Sequence, residues 1–155
     1  MDIDYLMEKL RSLPREKVLD SLVEELYKGF DHYNWVGIYV LVGDELVLHS
    51  WRGEEPTSHT RIPIGVGICG CVVETGVTEI IPDVTLDQRY LSCFSSTKSE
   101  IVVPIKKDNN VIGDIVIESN TLDAFNNDDK ELLERLAVHP LVVSIVSELY
   151  ESKKT

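Results

Sequence analysis

The sequence predicts an α+β fold in which helices from both ends of the chain cover one face of a central antiparallel sheet. Two observations lead to this fold class. Apolar residues recur at helical spacing near both ends of the 155-residue chain, and two pairs of β-rich runs lie between them. Each pair indicates a hairpin, and hairpin strands pair antiparallel. The length and the 43% apolar content suit one domain over residues 1–155.

The first third of the chain predicts two helices and a hairpin. Residues 2–12 and 15–31 form the helices, and they are joined at Pro14, which suits the first position of a helix. The period then changes to that of a strand. The runs 35–41 and 46–51, separated by a Gly-Asp turn signal, predict the first hairpin.

The middle of the chain alternates short elements with loops. A short extended piece over 60–64 precedes a predicted helix over 68–75, and 78–81 predicts a brief strand. The segment 83–99 has weak periodicity and many Ser, Thr and Asp residues, so it predicts a long loop with one helical turn. Loops of this length inside a compact domain are usually functional.

The last third predicts a second hairpin and a divided helix. The runs 100–107 and 111–119 flank an Asp-Asn-Asn turn. Asn126 and the acids that follow it favour a helix start. Pro140 must kink or divide that helix before 141–149 continues it.

Composition excludes several classes of partner. The chain has 15 basic and 27 acidic residues and a formal charge of −12, so nothing supplies the basic face that a nucleic-acid binder needs. No apolar run approaches the roughly 20 residues of a membrane span, and the acidic N-terminus does not resemble a secretory signal. We therefore expect a cytoplasmic protein, and three cysteines there favour redox, catalytic or core roles over a disulfide framework.

Four segments carry a family resemblance: NWVGIYVL (34–41), RIPIGVGICG (61–70), SEIVVPI (99–105) and VIGDIVIES (111–119). They resemble the free methionine-(R)-sulfoxide reductases, a family of GAF-domain enzymes. The resemblance implies a GAF fold with a ligand cavity under loops on the sheet face opposite the terminal helices. It also implies thiol-dependent reduction of free L-methionine-(R)-sulfoxide, recycled by a thioredoxin-type dithiol, with no metal or organic cofactor.

Matched position by position, the resemblance implies a site of six residues: the nucleophile Cys93, the resolving Cys69, Trp35 and Tyr39 around the methylthio end of the substrate, and the carboxylates Glu100 and Glu118. Residues four apart on a strand point to the same side, so the two aromatic residues can line one cavity. Glu100 opens an apolar strand, where burial would raise its pKa and suit it to donate a proton. The sequence leaves open how the two glutamates divide proton donation and binding of the substrate's ammonium group.

The resemblance implies a Cys69–Cys93 disulfide, but helical geometry alone leaves Cys71 as an alternative. Residues two apart in a helix point about 200° apart, so only one of these two cysteines can meet Cys93. Cys69 lies nearer the Gly-Val-Gly turn and is the stronger candidate, and we expect Cys71 to be a small core residue. Lys98 is a cation near Cys93 in sequence that could lower the pKa of its thiol.

Two positions depart from the family pattern. His59 stands where three-cysteine members carry a resolving cysteine, which indicates the two-cysteine branch, and alone it would be a surface loop histidine. Val116 stands where an acid usually precedes the second carboxylate. A zinc site is not expected, because Cys69 and Cys71 have the wrong spacing and the histidines form no ligand pair.

The rival hypothesis is a non-catalytic GAF module that binds a small molecule as a sensor. Its cavity would be the same, so the fold alone does not separate the two functions. A sensor is expected to act with an output domain, which this sequence does not predict. That expectation, together with Cys69 and Cys93, favours the enzyme. The sequence leaves open whether the protein is a monomer or a homodimer.

Overall fold

The computed structural model describes residues 1–92 and 94–154, with the last two of these described by their backbone alone. The helices are α1 (Ile3–Arg11), α2 (Arg15–Gly29), α3 (Gly67–Thr75), α4 (Asn127–Ala137) and α5 (Pro140–Lys154). The strands are β1 (Trp35–Val42), β2 (Glu45–Gly53), β3 (Arg61–Pro63), β4 (Glu79–Ile81), β5 (Ser99–Lys107) and β6 (Asn110–Ser119). A single 3-10 turn, Val84–Leu86, lies in the predicted long loop.

The strands form one six-stranded sheet in the order β3-β2-β1-β6-β5-β4, and every neighbouring pair is antiparallel. The predicted hairpins are β1–β2 and β5–β6. The second turns through Asp108 and Asn109, whose φ angles of 52° and 67° are typical of a tight hairpin turn. Because β1 also pairs with β6, the two hairpins merge into one sheet, and the predicted α+β class is confirmed.

The two faces of the sheet have different coverings. On one face α1, α2, α4 and α5 pack onto alternate strand residues such as Val36, Ile38 and Val40. We call this the helix face. The intervening residues, Trp35 and Tyr39 among them, point to the opposite face, which α3 and the connecting loops cover. We call this the cavity face, and the arrangement is the one predicted from the GAF resemblance.

Helix boundaries follow the local sequence with one correction. Pro14 is not the first residue of α2 but its N-cap, because its ψ of 143° is extended and the helix begins at Arg15. The other end of the fold agrees with prediction. Asn126 accepts hydrogen bonds from the backbone of the first turn of α4 in a capping box with Asp129, and Pro140 starts α5 as a separate helix. No helix in the described ranges is both long and apolar enough to cross a membrane.

Candidate active site

A row of three side chains crosses the cavity face of the sheet. Trp35 on β1 lies opposite Glu118 on β6, and Glu118 lies opposite Glu100 on β5. Directly opposed residues of antiparallel strands have Cβ atoms about 5 Å apart. The register therefore holds the indole and the two carboxyl groups side by side. Both glutamates are buried, with exposures of 4% for Glu100 and 2% for Glu118.

The indole of Trp35 lies across the first hairpin because two glycines leave room for it. A Cβ on Gly37 would lie 2.3 Å from the ring, and a Cβ on Gly53 would lie 2.4 Å from it. The ring stacks on Trp51 at a centroid distance of 6.4 Å and contacts Phe94 at 6.2 Å. Its Nε1 is buried and has no hydrogen-bond partner among the described residues. The hairpin thus builds a fixed aromatic wall.

An inner cavity lies beside this row. Five residues that the sequence singled out for the site line it together: Trp35, Tyr39, Cys69, Glu100 and Glu118. The two departures from the family pattern, His59 and Val116, line it as well. Cys93, the predicted nucleophile, lies outside the described residues. Segments far apart in the sequence therefore converge on one space.

A second space, the outer cavity, shares Trp35 and Glu118 with the inner one. Apart from Trp35 and Phe94 its lining is polar or charged: Asn34, Glu54, Glu55, Ser96, Thr97, Glu118 and Asn120. The inner cavity is lined mainly by apolar groups. The pair of cavities suits a small ligand with one apolar end and one polar, positively charged end.

Helix α3 brings one of its two cysteines to the inner cavity. Cys69 lies in the first turn of α3 and is 7% exposed. Cys71 lies on the flank of α3, with its Sγ 3.8 Å from the carbonyl oxygen of Gly65. The expectation that Cys71 is a core residue was wrong. It is partly exposed, because α3 presents Ile68, Cys69 and Val72 to the sheet.

The loop between β4 and β5 contacts the site through several side chains. The hydroxyl of Tyr90 donates a hydrogen bond to Oε1 of Glu118 at 2.6 Å. Leu91 lines the inner cavity. A ring nitrogen of His59 lies 3.3 Å from the carbonyl oxygen of Ser92, so this histidine belongs to the wall of the site and is not merely a surface residue.

Ion pairs hold the base of the same loop. Arg89 forms ion pairs with Glu79 at 2.6 Å and with Asp87 at 2.7 Å. Lys98, expected to influence Cys93, is exposed, and its charge assists two hydrogen bonds from Thr85 in lowering the pKa of Asp83. Lys98 lines neither the inner cavity nor the outer cavity on the other side of Glu118.

The two glutamates of the row have unusual protonation properties. Burial raises the pKa of Glu100 well above its ordinary value, and the negative charges of Glu118 and Asp114 raise it further. Burial also raises the pKa of Glu118, to about 7, although hydrogen bonds from Tyr90 and Thr97 oppose that rise. At neutral pH the pair therefore holds at least one proton, as a general acid requires.

The sequence did not single out three residues that act on the two glutamates. Tyr90 and Thr97 hydrogen bond to Glu118, and the charge of Asp114 acts on Glu100. Asp114 is fully buried on β6, and neither of its carboxylate oxygens has a hydrogen-bond partner in the described ranges. Burial raises the pKa of Asp114 well above its ordinary value. Period-two alternation with Glu118 was the available signal for Asp114.

Within residues 1–92 and 94–154, no group of three His, Cys, Asp or Glu side chains is arranged to hold a metal ion.

Comparison with known proteins relates the chain to one family. Residues 12–139 match the family model described as a GAF domain. The chain is 38% identical over 122 residues to the free methionine-R-sulfoxide reductase of Saccharomyces cerevisiae, covering 76% of this chain and 67% of that protein. It is 34% identical over 111 residues to the Escherichia coli protein of the same name, covering 72% and 66% respectively. The matches thus span about two thirds of these relatives' lengths.

Solved structures give the same relationship. A type II free methionine-R-sulfoxide reductase from Thermoplasma acidophilum superposes with a TM-score of 0.82 at 34% identity, covering 86% of this chain and 93% of that one. The enzyme of the same name from Neisseria meningitidis, in complex with its substrate, superposes with a TM-score of 0.80 at 30% identity. That match covers 96% of this chain and 85% of the other.

Proposed function

The chain belongs to the free methionine-R-sulfoxide reductase family of GAF-domain enzymes, and from this premise we propose that it reduces free L-methionine-(R)-sulfoxide to L-methionine. The observation that carries the proposal is the inner cavity, where an aromatic wall, a buried thiol and a carboxyl pair that holds a proton meet. Sulfoxide reduction by thiols needs these three components. A binding module needs none of them in combination.

In the proposed reaction Cys93 is the nucleophile. Its thiolate attacks the sulfoxide sulfur, and the oxygen, protonated by a carboxyl group of the pair, passes to Cys93 as a sulfenic acid while methionine leaves as the thioether. A second thiol then attacks the sulfenic sulfur, and the oxygen leaves as water with the thiol's proton. The resulting disulfide is reduced by an external dithiol of the thioredoxin type, which supplies two electrons and two protons.

Cys93 itself lies outside the described residues, so its assignment depends on its surroundings. Leu91, two residues before it, lines the inner cavity, and Phe94, directly after it, lines the outer cavity and contacts Trp35. His59 departs from the pattern of the three-cysteine members, which carry a resolving cysteine at its position. Its ring nitrogen lies 3.3 Å from the carbonyl oxygen of Ser92, the residue before Cys93.

We assign the resolving thiol to Cys69 because it is the cysteine of α3 that lines the inner cavity. Cys71 points to the flank of the helix instead. The pairing of Cys69 with Cys93 follows the two-cysteine branch of the family.

In this proposal the two cavities bind opposite ends of the substrate. We place the methylthio and sulfoxide groups in the inner cavity, against Trp35 and Tyr39, and the amino-acid end in the outer cavity. Val116 supplies no charge for the ammonium group, but the outer cavity offers Glu118 together with Glu54 and Glu55. A peptide-bound methionine sulfoxide lacks that free ammonium group, so we expect the enzyme to reject it.

The experiment that tests the function measures consumption of free L-methionine-(R)-sulfoxide with dithiothreitol as reductant. The S epimer and a peptide-bound sulfoxide are measured beside it. Turnover of the free R form alone, abolished in Cys93→Ser, supports the proposal. A folded protein with reduced thiols that consumes none of the three would favour the ligand-binding GAF module instead.

A further inference from the structure

Tyr90, in the β4–β5 loop, reaches the carboxyl pair directly. Its hydroxyl lies 2.6 Å from Oε1 of Glu118 and donates to it. Burial raises the pKa of the Tyr90 phenol, and the charge of Glu118 raises it further, so this hydroxyl keeps its proton across the physiological range. Tyr90 is therefore a permanent hydrogen-bond donor to one oxygen of one glutamate.

A donor of this kind affects the two glutamates unequally. A hydrogen bond donated to a carboxylate stabilises its charged form. Glu118 accepts from Tyr90 and also hydrogen bonds to Thr97. The influences on Glu100 are its burial and the negative charges of its neighbours, and all of them favour its protonated form.

The cavities give this asymmetry a use. Glu118 lines both cavities and lies at the junction where a cationic ammonium group would enter, whereas Glu100 lines the inner cavity alone. A charged Glu118 suits the ammonium group of the substrate. A protonated Glu100 lies in the chamber where the sulfoxide oxygen would accept a proton.

We propose that Tyr90 is a positioning residue that holds Glu118 as the charged member of the pair and so leaves the shared proton on Glu100. This inference rests on the proposed function for its catalytic meaning, but the division of charge between the two glutamates is a property of the protein alone. It explains how two adjacent carboxyl groups can have different roles, with Glu118 binding the ammonium group and Glu100 donating the proton.

Other titratable groups also face this pair and belong to the same equilibrium. Asp114 lies on β6 with its charge felt at Glu100. The charges of Glu79 on β4 and Asp87 in the β4–β5 loop also act on Glu100. The titratable groups that share a cavity lining with Glu118 are Glu100 on β5, Tyr39 on β1, Cys69 on α3, and His59, Glu54 and Glu55 in the β2–β3 connection. None of these residues is substituted in the variants below, so a shift in the titration of Glu118 reports the lost hydroxyl.

The test is Tyr90→Phe, which removes the hydroxyl and keeps the ring. The pKa values of both glutamates are measured by carboxyl ¹³C NMR in the full chain. In the wild type Glu118 titrates below Glu100. In Tyr90→Phe the pKa of Glu118 rises by about one unit, as expected for the loss of one hydrogen bond to a charged group. Thr97→Val, which removes the other hydroxyl, moves it in the same direction.

Tyr33→Phe is the matched control. Tyr33 also donates to a buried carboxylate at 2.6 Å, but its partner is Asp129 on the helix face. This variant leaves the titration of Glu118 unchanged. The proposal is overturned if Glu100 titrates below Glu118 in the wild type, or if Tyr90→Phe leaves the pKa of Glu118 where it was.

The kinetic measurement separates this inference from the proposed function. The acid limb of kcat/KM for free methionine sulfoxide shifts to higher pH in Tyr90→Phe and stays in place in Tyr33→Phe. A wild-type protein without turnover contradicts the proposed function, while the NMR titration still decides the role of Tyr90. A moved NMR titration with an unmoved acid limb overturns the catalytic part of the inference.

Discussion

The two faces of one sheet treat polar groups in opposite ways. On the helix face the buried carboxylate of Asp129 has a full set of partners: the hydroxyl of Tyr33, the ring of His32 and the backbone N–H of Asn126. On the cavity face the strands bury Glu100, Glu118 and Asp114. There the oxygens of Asp114 and the indole N–H of Trp35 lack partners among the described residues.

The difference shows that polar groups on the helix face are compatible with a stable fold, whereas those on the cavity face lower its stability. Leaving a buried polar group without a partner costs about 1–3 kcal/mol, and the helix face avoids that cost. The cavity face accepts it because unpaired donors and protonated carboxyl groups are what a polar substrate can use. Both faces belong to the same hydrogen-bonded strands, so the difference between them comes from the side chains alone.

The sharpest test of this contrast compares neighbouring residues of β6. Ile117 is fully buried on the helix face, and Val116 lines the inner cavity. We expect Ile117→Ala to lower the free energy of unfolding by about 3 kcal/mol, because it leaves a void in a packed core. Val116→Ala should cost about 1 kcal/mol, since it only enlarges an existing cavity.

Urea unfolding measures both variants, and steady-state kinetics completes the comparison. Ile117→Ala should leave the KM for the sulfoxide unchanged, whereas Val116→Ala should change it. Equal losses of stability in the two variants would contradict the division of labour between the faces.

Asp114→Asn tests whether the cavity face carries a destabilising buried acid. The raised pKa of Asp114 means that the folded protein keeps a proton that the unfolded chain loses above about pH 4. Wild-type stability from this group therefore falls as pH rises towards the folded-state pKa. The asparagine does not titrate, so its advantage over the wild type should grow as pH rises towards the folded-state pKa of Asp114, by at most about 1.4 kcal/mol per pH unit.

Unfolding free energies of Asp114→Asn and wild type, measured at several values between about pH 5 and pH 7, give this slope directly. Asp129→Asn on the helix face is the control and should show no such gain, because it replaces one of the two carboxylate oxygens that accept these hydrogen bonds with an NH2 group that cannot accept one. A stability difference for Asp114→Asn that does not vary with pH would refute the expectation.

The smallest expected effect distinguishes the two cysteines of α3. Cys69→Ser should slow the thioredoxin-driven reaction about tenfold, equivalent to about 1.4 kcal/mol, and should affect the dithiothreitol reaction less, since a small thiol can reduce the sulfenic acid directly. Cys71→Ser, the matched control on the other side of the helix, should alter neither. Equal losses with both reductants in Cys69→Ser would exclude it as the resolving thiol.

Much of the fold follows from periodicity in the sequence. The hairpins, the divided C-terminal helix and the helix at Asn126 each carry a local signal that the structure confirms. Pro14 was misplaced by one residue, because proline is compatible with both the N-cap and the first helical position and the choice depends on ψ. Cys71 was misjudged because helical phase predicts which side a residue faces but not how far the neighbouring elements extend over it.

The site was less predictable than the fold. The strand residues Trp35, Tyr39, Glu100 and Glu118 were identified through the family resemblance, and their alternation fixes the face they share. Tyr90 could not be found this way. It lies in an irregular loop, and its contact with Glu118 joins residues 28 apart in sequence through a path that no periodic pattern encodes. Asp114 could have been found, since it falls in step with Glu118 along β6.

The stacked indoles of Trp35 and Trp51 have a practical consequence. They are the chain's two tryptophans, and their rings lie nearly parallel, with an interplanar angle of 12°. All of the tryptophan fluorescence therefore originates at one wall of the two cavities. The unlabelled protein carries its own optical probe, in which the entry of a sulfoxide or a change in the nearby polar groups alters the emission without interference from indoles elsewhere.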